Sequence, residues 1–295
     1  MKRLINLALR PLGVKLVRRG SVMAMAVAPG NPFNTPPADD GWADERNYWE
    51  NKLRAYYQRE FRLDLDPLQT DPRMLPPLEL AATIQGTNKA DPDGFFGSGY
   101  RTTLSYVTEL HDHGVSPAKM SRILEMGVGL GRLIVNFLPF GAELHGCDVT
   151  PEVLEWTRKT LGHRIRLELT GVEPPLPYPD GYFDFVYANS VFTHIDCPLI
   201  GRWAAELYRL VRPGAMMIVS VLDANNYLRH LTFREYDARF ETPGCVAWNT
   251  ERGVMTMSYQ SQEHLWATFG SAGFRVLELR QHFRDQSHLI CRRDA

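Results

Sequence analysis

Cysteine is scarce in this chain. Its four residues, Cys147, Cys197, Cys245 and Cys291, lie far apart and form no Cys-x-x-Cys pair. The spacing supports neither a zinc ligand set nor a disulfide framework, and four reduced thiols are expected. Long apolar runs are missing too: no stretch reaches the roughly 18 residues from which a membrane-spanning helix is read. Charge of one sign is nearly absent as an excess, with a net charge of −1. That balance argues against a long nucleic-acid track. There is no internal repeat and no low-complexity tract, which removes solenoids and propellers from consideration.

What is present is the composition of a soluble globular protein. The 295 residues are 44% hydrophobic and 23% charged, enough for a large core. The first 20 residues are locally exceptional. They carry Lys2, Arg3, Arg10, Lys15, Arg18 and Arg19 and no acid. Arg10 and Lys15 interrupt the apolar stretch that a secretory signal needs, and Arg18-Arg19 only faintly resembles a twin-arginine signal. Two readings remain: a basic amphipathic segment on an anionic membrane surface, interrupted at Pro11 and Gly13, or a loosely docked tail. The expected location is cytoplasmic, with peripheral contact at the inner face of a membrane if the first reading holds.

The chain divides into three parts on pattern. Residues 1–40 form the basic segment and a linker, whose 29–40 stretch is rich in Pro, Asn and Asp. Residues 41–97 read as a helical extension or lid. Trp42, Trp49, Leu53, Tyr56, Tyr57 and Phe61 recur at helical spacing over 42–61, and prolines make 63–78 irregular. From residue 98 strand and helix alternate, as in a parallel sheet covered by helices. A helix is predicted over 101–113, then a strand over 122–126, a helix over 130–138, a strand over 143–148 and a helix over 151–161 with Thr150 as N-cap. Strands follow at 164–169 and 183–188, the second apolar enough to be a central strand. A helix over 198–210, a strand over 215–222, a helix over 261–271 and strands over 274–281 and 286–292 complete the pattern.

Chemistry concentrates after the first of these strands, in Glu125-Met-Gly127-Val-Gly129-Leu-Gly131-Arg132. Three alternating glycines allow sharp turns and a close approach of ligand to main chain at the start of the next element. A dinucleotide fingerprint requires its third glycine where Arg132 stands, so a pyrophosphate ligand is disfavoured. Glu125 at the strand end suits a ligand with a cationic ammonium group, such as the amino group of a methionine. Asp148, at the end of the following strand, can accept hydrogen bonds from both hydroxyls of a ribose.

Residues 122–148 resemble motif I and the following acidic motif of class I S-adenosylmethionine-dependent methyltransferases. The run from Leu176 to His194 is similar to the fourth-strand motif of that family, and Ala205 to Gly214 to its helix-to-fifth-strand motif. The resemblance implies a Rossmann-like α/β fold, a doubly wound sheet of about seven mostly parallel strands with an antiparallel last strand, preceded here by the helical extension. It also implies S-adenosyl-L-methionine as cofactor and no metal. Carried over position by position, Gly127, Gly129 and Gly131 line the methionine moiety and Glu125 orients its amino end. Asp148 holds the ribose, Val149 lies beside the adenine, and Asn189 and Ser190 face the cofactor. Many relatives contact the adenine amine with an Asp where this chain has Val172, so either the adjacent Glu173 substitutes or the contact is to the backbone.

The acceptor side is less defined. His194, just past the fourth predicted strand, is the candidate base for a hydroxyl acceptor, with Asp196 to orient it; the alternative is a histidine that bonds a backbone carbonyl. Gly94 to Arg101 suits a flap that brings Tyr100 onto the methionine end, or a plain loop entering a helix. Residues 223–260 fall where relatives insert acceptor-binding elements and contain Asn225, Asn226, Tyr227, His230, Trp248 and Tyr259. His282 and His288 receive no role. The expected acceptor is a small molecule or glycan precursor, methylated at oxygen. N-methylation, a nucleic-acid substrate, a catalytically silent scaffold and a dehydrogenase are the alternatives. Ala188-Asn-Ser-Val-Phe192 lacks the Pro-Pro-Tyr/Phe pattern of base-amino methyltransferases, and no nucleic-acid partner is expected.

Overall fold

The computed structural model describes residues 15–19, 22–26, 45–85, 92–230, 237–249, 256–282 and 286–295. Two compact units are present, Met1–Asp40 and Gly41–Ala295. In the first, β1 (Lys15–Arg19) and β2 (Val22–Ala26) pair as an antiparallel hairpin, with Lys15 opposite Ala26 and Arg19 opposite Val22. Lys15, Arg18 and Arg19 of the basic segment are therefore strand residues. The rest of that segment and the 29–40 linker lie outside the described residues.

The second unit is built on a seven-stranded sheet. Its strands are β3 (Arg122–Met126), β4 (Glu143–Asp148), β5 (Ile165–Leu169), β6 (Phe183–Ala188), β7 (Val211–Val221), β10 (Phe274–Arg280) and β11 (Ser287–Arg293). The spatial order is β10-β11-β7-β6-β3-β4-β5. β3 to β7 run parallel, and the last strand, β11, lies antiparallel between β7 and β10. Every residue of β6 is buried, which explains its unbroken apolar character. The order reverses at β3, flanked by β4 on one side and β6 on the other. The carboxyl ends of β3 and β6 thus open a crevice, where such sheets bind ligands.

The elements α4 (Pro151–Leu161), α5 (Cys197–Leu210) and α7 (Gln262–Ser271) lie within a residue of their predicted bounds. Two segments differ. The expected helix over 130–138 is instead a short turn and a 3-10 helix, Ile134–Phe140. Pro139 lies inside it and cannot donate to a preceding turn, while the Asn136 amide donates to Arg132 O, 3.1 Å away. The helix expected from 101 begins much earlier, as α3 (Pro92–Asp112). Gly94 to Arg101 is therefore helical, not a flap or loop. Phe95, Phe96 and Tyr100 are buried, and Gly99 lets the helix lie against the Arg132 backbone: a Cβ there would stand 2.8 Å from Arg132 O.

The helical extension is α1 (Glu45–Phe61) and α2 (Leu78–Gln85), with two 3-10 turns, Pro67–Thr70 and Pro72–Met74, between them. α1 is part of the wall of the domain: Leu53 and Tyr57 are fully buried in one apolar cluster with Ile123, Phe137 and Phe140. A buried polar knot ties extension to core at Asn136. Its carbonyl accepts from the Tyr57 hydroxyl at 2.8 Å, its Oδ1 accepts from Gln69 Nε2 at 2.6 Å, and its Nδ2 donates to Thr103 Oγ1 at 3.0 Å. Removing one partner leaves the others buried and unpaired.

Residues 223–260 contain α6 (Ala224–His230) and a hairpin of β8 (Cys245–Asn249) with β9 (Thr256–Gln260). Tyr227 and Tyr259 are buried and Trp248 is half-buried; Tyr227 stacks on Phe240 with centroids 4.1 Å apart, and Trp248 packs against both Tyr227 and Tyr259. The His230 side chain lies outside the described residues. Cys197 and Cys245 are joined by a disulfide, with Cα atoms 6.0 Å apart, which corrects the expectation of four free thiols. Each cysteine opens its element, α5 or β8, and the fold brings together ends that are 48 residues apart. Cys147 and Cys291 are free and buried. Among the described residues no helix is long and apolar enough to cross a membrane.

Two measurements check these contacts. Asn136→Ala should lower unfolding free energy by about 1–3 kcal/mol in a urea titration. Non-reducing peptide mapping should recover the Cys197 and Cys245 peptides linked, and reduction should destabilise the domain by roughly 2–4 kcal/mol.

Candidate active site

The loop after β3 is held to the neighbouring strand by its own backbone. The N–H groups of Gly127 and Val128 both donate to Cys147 O, at 2.8 and 2.9 Å, and Gly129 N–H donates to Asp148 Oδ2 at 2.9 Å. Gly127 and Gly131 have φ of 74° and 76°, in the left-handed region that side chains resist. Their surroundings differ in kind. A Cβ on Gly127 would meet Val191 Cγ2 at 2.3 Å, whereas one on Gly131 would meet Leu161 Cδ1 of α4 at 2.4 Å. Gly127 and Gly129 line the pocket described below and Gly131 does not. Its place is the packing of loop on helix.

Glu125 is 2% exposed and accepts a hydrogen bond from the Tyr187 hydroxyl at 2.9 Å. Burial pushes its carboxyl up to about 8, against the pull of Tyr187, of the Arg132 charge and of the Ile134 backbone. Without a cationic ligand this acid is therefore largely protonated near neutral pH. Asp148 spends both oxygens on backbone, Oδ2 on Gly129 and Oδ1 on Thr150 N–H at 2.9 Å. Val149 beside it is an exposed apolar side chain.

A pocket of about 250 Å³ opens at the switch point. One wall is Glu125, Gly127, Val128 and Gly129; another is Ser98, Arg101 and Thr102 of α3; a third is Asn189 and Ser190 after β6 with His282, Gln286 and His288. Ser190 has φ of 58°, unusual for a residue with a side chain. It is pinned there: its N–H donates to Ser220 Oγ at 2.7 Å and its Oγ accepts from Gln286 Nε2 at 2.9 Å. Asn189 Oδ1 accepts from the Tyr106 hydroxyl at 3.3 Å.

Six residues singled out in the sequence are not on this lining: Gly131, Asp148 and Val149, described above, and Tyr100, Glu173 and His194. The Tyr100 hydroxyl donates to Gln69 O at 2.7 Å in the core and does not reach the pocket wall. Glu173 is paired on the surface with Arg202 at 2.8 Å. His194 Nδ1 lies 2.7 Å from Thr256 O, tying the loop after β6 to β9, and the residue is absent from the pocket lining. That is the backbone-bonding alternative to a base, and Asp196 does not orient it: its carboxylate accepts from Cys197 N–H as the N-cap of α5. The pocket histidines His282 and His288 and their partner Glu109 were not found from sequence as site residues.

A doubly wound sheet of this strand order, with a glycine loop, buried acid and strand-end Asp at its switch point, defines a Rossmann-like ligand-binding domain. The methyltransferase domain family matches residues 124–219. A sterol 4-C-methyltransferase of Caenorhabditis elegans is 25% identical over 186 residues, covering 57% of this chain and 54% of its own. A ubiquinone biosynthesis O-methyltransferase of Azorhizobium caulinodans is 30% identical over 176 residues, covering 57% of this chain and 65% of its own. The alignment thus spans about half to two thirds of these relatives. Among solved structures, a Pyrococcus horikoshii protein superposes with a TM-score of 0.52 at 15% identity, over 66% of this chain and 91% of that one. The 1,6-didemethyltoxoflavin-N1-methyltransferase of Burkholderia thailandensis, solved with S-adenosylhomocysteine, superposes with a TM-score of 0.50 at 17% identity, over 65% and 78%.

The family match covers about a third of the chain, and S-adenosylmethionine is the group that a domain of this kind is expected to hold. The site fits that group on its own terms. The loop presents bare backbone at Gly127 and Gly129, and behind it sits a buried acid whose hydrogen-bond partner is the Tyr187 hydroxyl, not a cation, among the described residues. Because Gly131 is a packing position, Gly131→Ala should lower unfolding free energy by about 1–3 kcal/mol through its positive φ and the Leu161 contact, measured by chemical denaturation without cofactor.

Proposed function

We propose that this protein transfers the methyl group of S-adenosylmethionine to a hydroxyl oxygen of a small molecule or glycan precursor. The observation that carries the reading is the continuity of one pocket. The same cavity has Glu125 and the glycine loop on one wall and two histidines, His282 and His288, on another. Methyl transfer to a neutral hydroxyl needs a proton acceptor, which imidazoles supply near neutral pH. An amine acceptor already presents a lone pair when neutral. The name of the Azorhizobium relative, an O-methyltransferase of ubiquinone biosynthesis, agrees with oxygen.

In this reading Glu125 receives the ammonium of the cofactor's methionine, and Gly127 and Gly129 receive its chain against bare backbone. Asp148 accepts from the ribose, Val149 covers the adenine, and Asn189 and Ser190 lie where cofactor and acceptor meet. The bound cofactor supplies a methyl group on a sulfonium, displaced in line by the acceptor, so the protein's task is placement and proton removal. The N-terminal basic residues would favour acceptors held at an anionic surface.

Labelled S-adenosylmethionine offered with aryl hydroxyls, sugar hydroxyls, amines and oligonucleotides tests the reading. Transfer to hydroxyls is expected; transfer confined to amines or nucleic acid overturns it.

The Glu125 carboxyl gives a second expected outcome. Its folded value stands above that of the unfolded chain, so its contribution to the stability of the ligand-free protein is lost as pH rises from about 4.5 through about 8. A cationic ligand binds the ionised form. Affinity for S-adenosylmethionine should therefore rise with pH up to about 8, and binding at pH 7 should release close to one proton. Calorimetry in buffers of different ionisation enthalpy measures both. Glu125→Gln should abolish the proton release and weaken binding about 10- to 100-fold.

A further inference from the structure

A second buried carboxylate stands beside the pocket. Glu109 on α3 is 1% exposed, and two histidines from the far end of the chain face it. His288 Nδ1 lies 2.8 Å from Oε1 and 2.9 Å from Oε2, and His282 Nε2 lies 2.9 Å from Oε1. Burial alone would raise this carboxyl, but the two imidazoles outweigh it and hold it at about 2. An ionised carboxylate only accepts, so each imidazole nitrogen facing it carries a proton. In the neutral ring the other nitrogen is then a lone-pair acceptor: Nε2 of His288 and Nδ1 of His282.

The two rings are not equivalent. His288 belongs to β11, paired with Ser220 of β7, and lies flat on the Tyr106 ring with centroids 4.6 Å apart and planes 4° from parallel. Tyr106 in turn bonds Asn189 at the end of β6. A strand and a stacked ring fix His288 more firmly than the segment beyond β10 fixes His282. Two imidazoles and a carboxylate also have the composition of a metal ligand set. The distances disfavour a tetrahedral ion. Ligand atoms at about 2.0–2.1 Å from a tetrahedral ion stand about 3.3 Å apart, whereas the nitrogen–oxygen separations here are 2.8–2.9 Å, those of charge-assisted hydrogen bonds.

We propose that His288 is the general base that deprotonates the acceptor hydroxyl, with Glu109 as the positioning residue that fixes its tautomer and His282 as a second positioning residue on the same carboxylate. The proposal rests on the hydroxyl-acceptor reading above. The acceptor oxygen forms a bond to the methyl carbon as the carbon–sulfur bond breaks. That bond's electron pair goes to sulfur, leaving neutral S-adenosylhomocysteine, and the hydroxyl proton goes to His288 Nε2. The Glu109 carboxylate stabilises the imidazolium. Other charged and titratable groups around His288 are His282 and the Arg280 guanidinium, itself paired with Glu278 and Asp112, Tyr106 of α3, Glu125 and Tyr187 beyond Tyr106, and Arg101 and Arg132 on the pocket wall.

The test uses the full chain saturated with S-adenosylhomocysteine and titrated with 4-nitrocatechol, whose ionisation is visible as colour. Wild type should bind the probe as its anion at least one pH unit below its free ionisation. His288→Ala, shown folded by its thermal melt and by S-adenosylhomocysteine binding, should lose that anion tenfold or more. Long-range proton–nitrogen NMR should find His288 as the Nδ1–H tautomer in wild type and a tautomer mixture in Glu109→Gln. In the same variant the rising limb of the pH–rate profile for methyl transfer to the probe should move to lower pH, with a lower plateau. Undiminished anion in His288→Ala overturns the proposal, and so does zinc or magnesium binding at the cluster with probe ionisation abolished by EDTA. If wild type methylates hydroxyls without ionising the probe, the base assignment fails and the hydroxyl reading stands. If it does neither, both fail.

Discussion

The site depends on how β3 ends. Its last residues leave a parallel ladder, and their backbone donors need partners in a part of the protein where water is excluded. Cys147 O takes two of them, from Gly127 and Val128, and the Asp148 carboxylate takes a third, from Gly129. Those bonds lay the loop over the end of β4 and leave the opposite side of its backbone bare toward the pocket. The left-handed turns at Gly127 and Gly131 follow from that path, and so does the 3-10 segment that replaces a regular helix. α3 then closes on the loop from the other side, and Gly99 makes its approach to Arg132 sterically feasible.

Much of this was legible in the sequence because it is written locally. The strands around Glu125, Asp148 and Ala188 were placed within a residue by apolar runs ending in turn residues, and Thr150-Pro151 marked the start of α4. Alternation of period and turn chemistry acts over a few residues, so a linear reading captures it. Gly94 to Arg101 was misread for the same reason. Three glycines look like a loop in isolation, and the force that makes them helical is the burial of Phe95, Phe96 and Tyr100 under the extension, a tertiary effect. Cys197 and Cys245 failed likewise: their meeting depends on how the β8 hairpin packs against α5.

The candidate site divides along the same line. The glycines, Glu125, Asp148, Asn189 and Ser190 sit in short motifs at strand ends, which a linear reading can single out. Glu109 and His288 are separated by most of the domain, and each alone is an ordinary residue of a helix or a strand. The available hint was that His282 and His288 flank one hairpin turn, so both belong to the same end of the sheet. What no linear pattern contains is that His282 and His288 meet Glu109 of α3. His194 drew attention by its position beside a motif; one of its ring nitrogens faces Thr256 O, and the residue is not on the pocket lining.

Two buried carboxylates near one pocket have been driven in opposite directions, and the physics of each follows from its neighbours. Glu125 faces a phenol and a distant guanidinium, so burial dominates and the proton stays until about pH 8. Glu109 faces two imidazoles at hydrogen-bond distance, so burial is outweighed and the charge persists down to about pH 2. Separating the two in this way lets one site hold a neutral acid and an anion at the same pH. The neutral acid is a poor partner for water and gains a charge when a cation arrives, which couples ligand binding to proton release. The anion is already compensated and rigid, which suits a group that must hold an imidazole in one tautomer while the proton on its far nitrogen comes and goes. The asymmetry needs no difference in depth, since both carboxylates are almost fully buried. It needs only that β10 and β11 place two histidines against α3 and place nothing basic within bonding distance of Glu125 among the described residues.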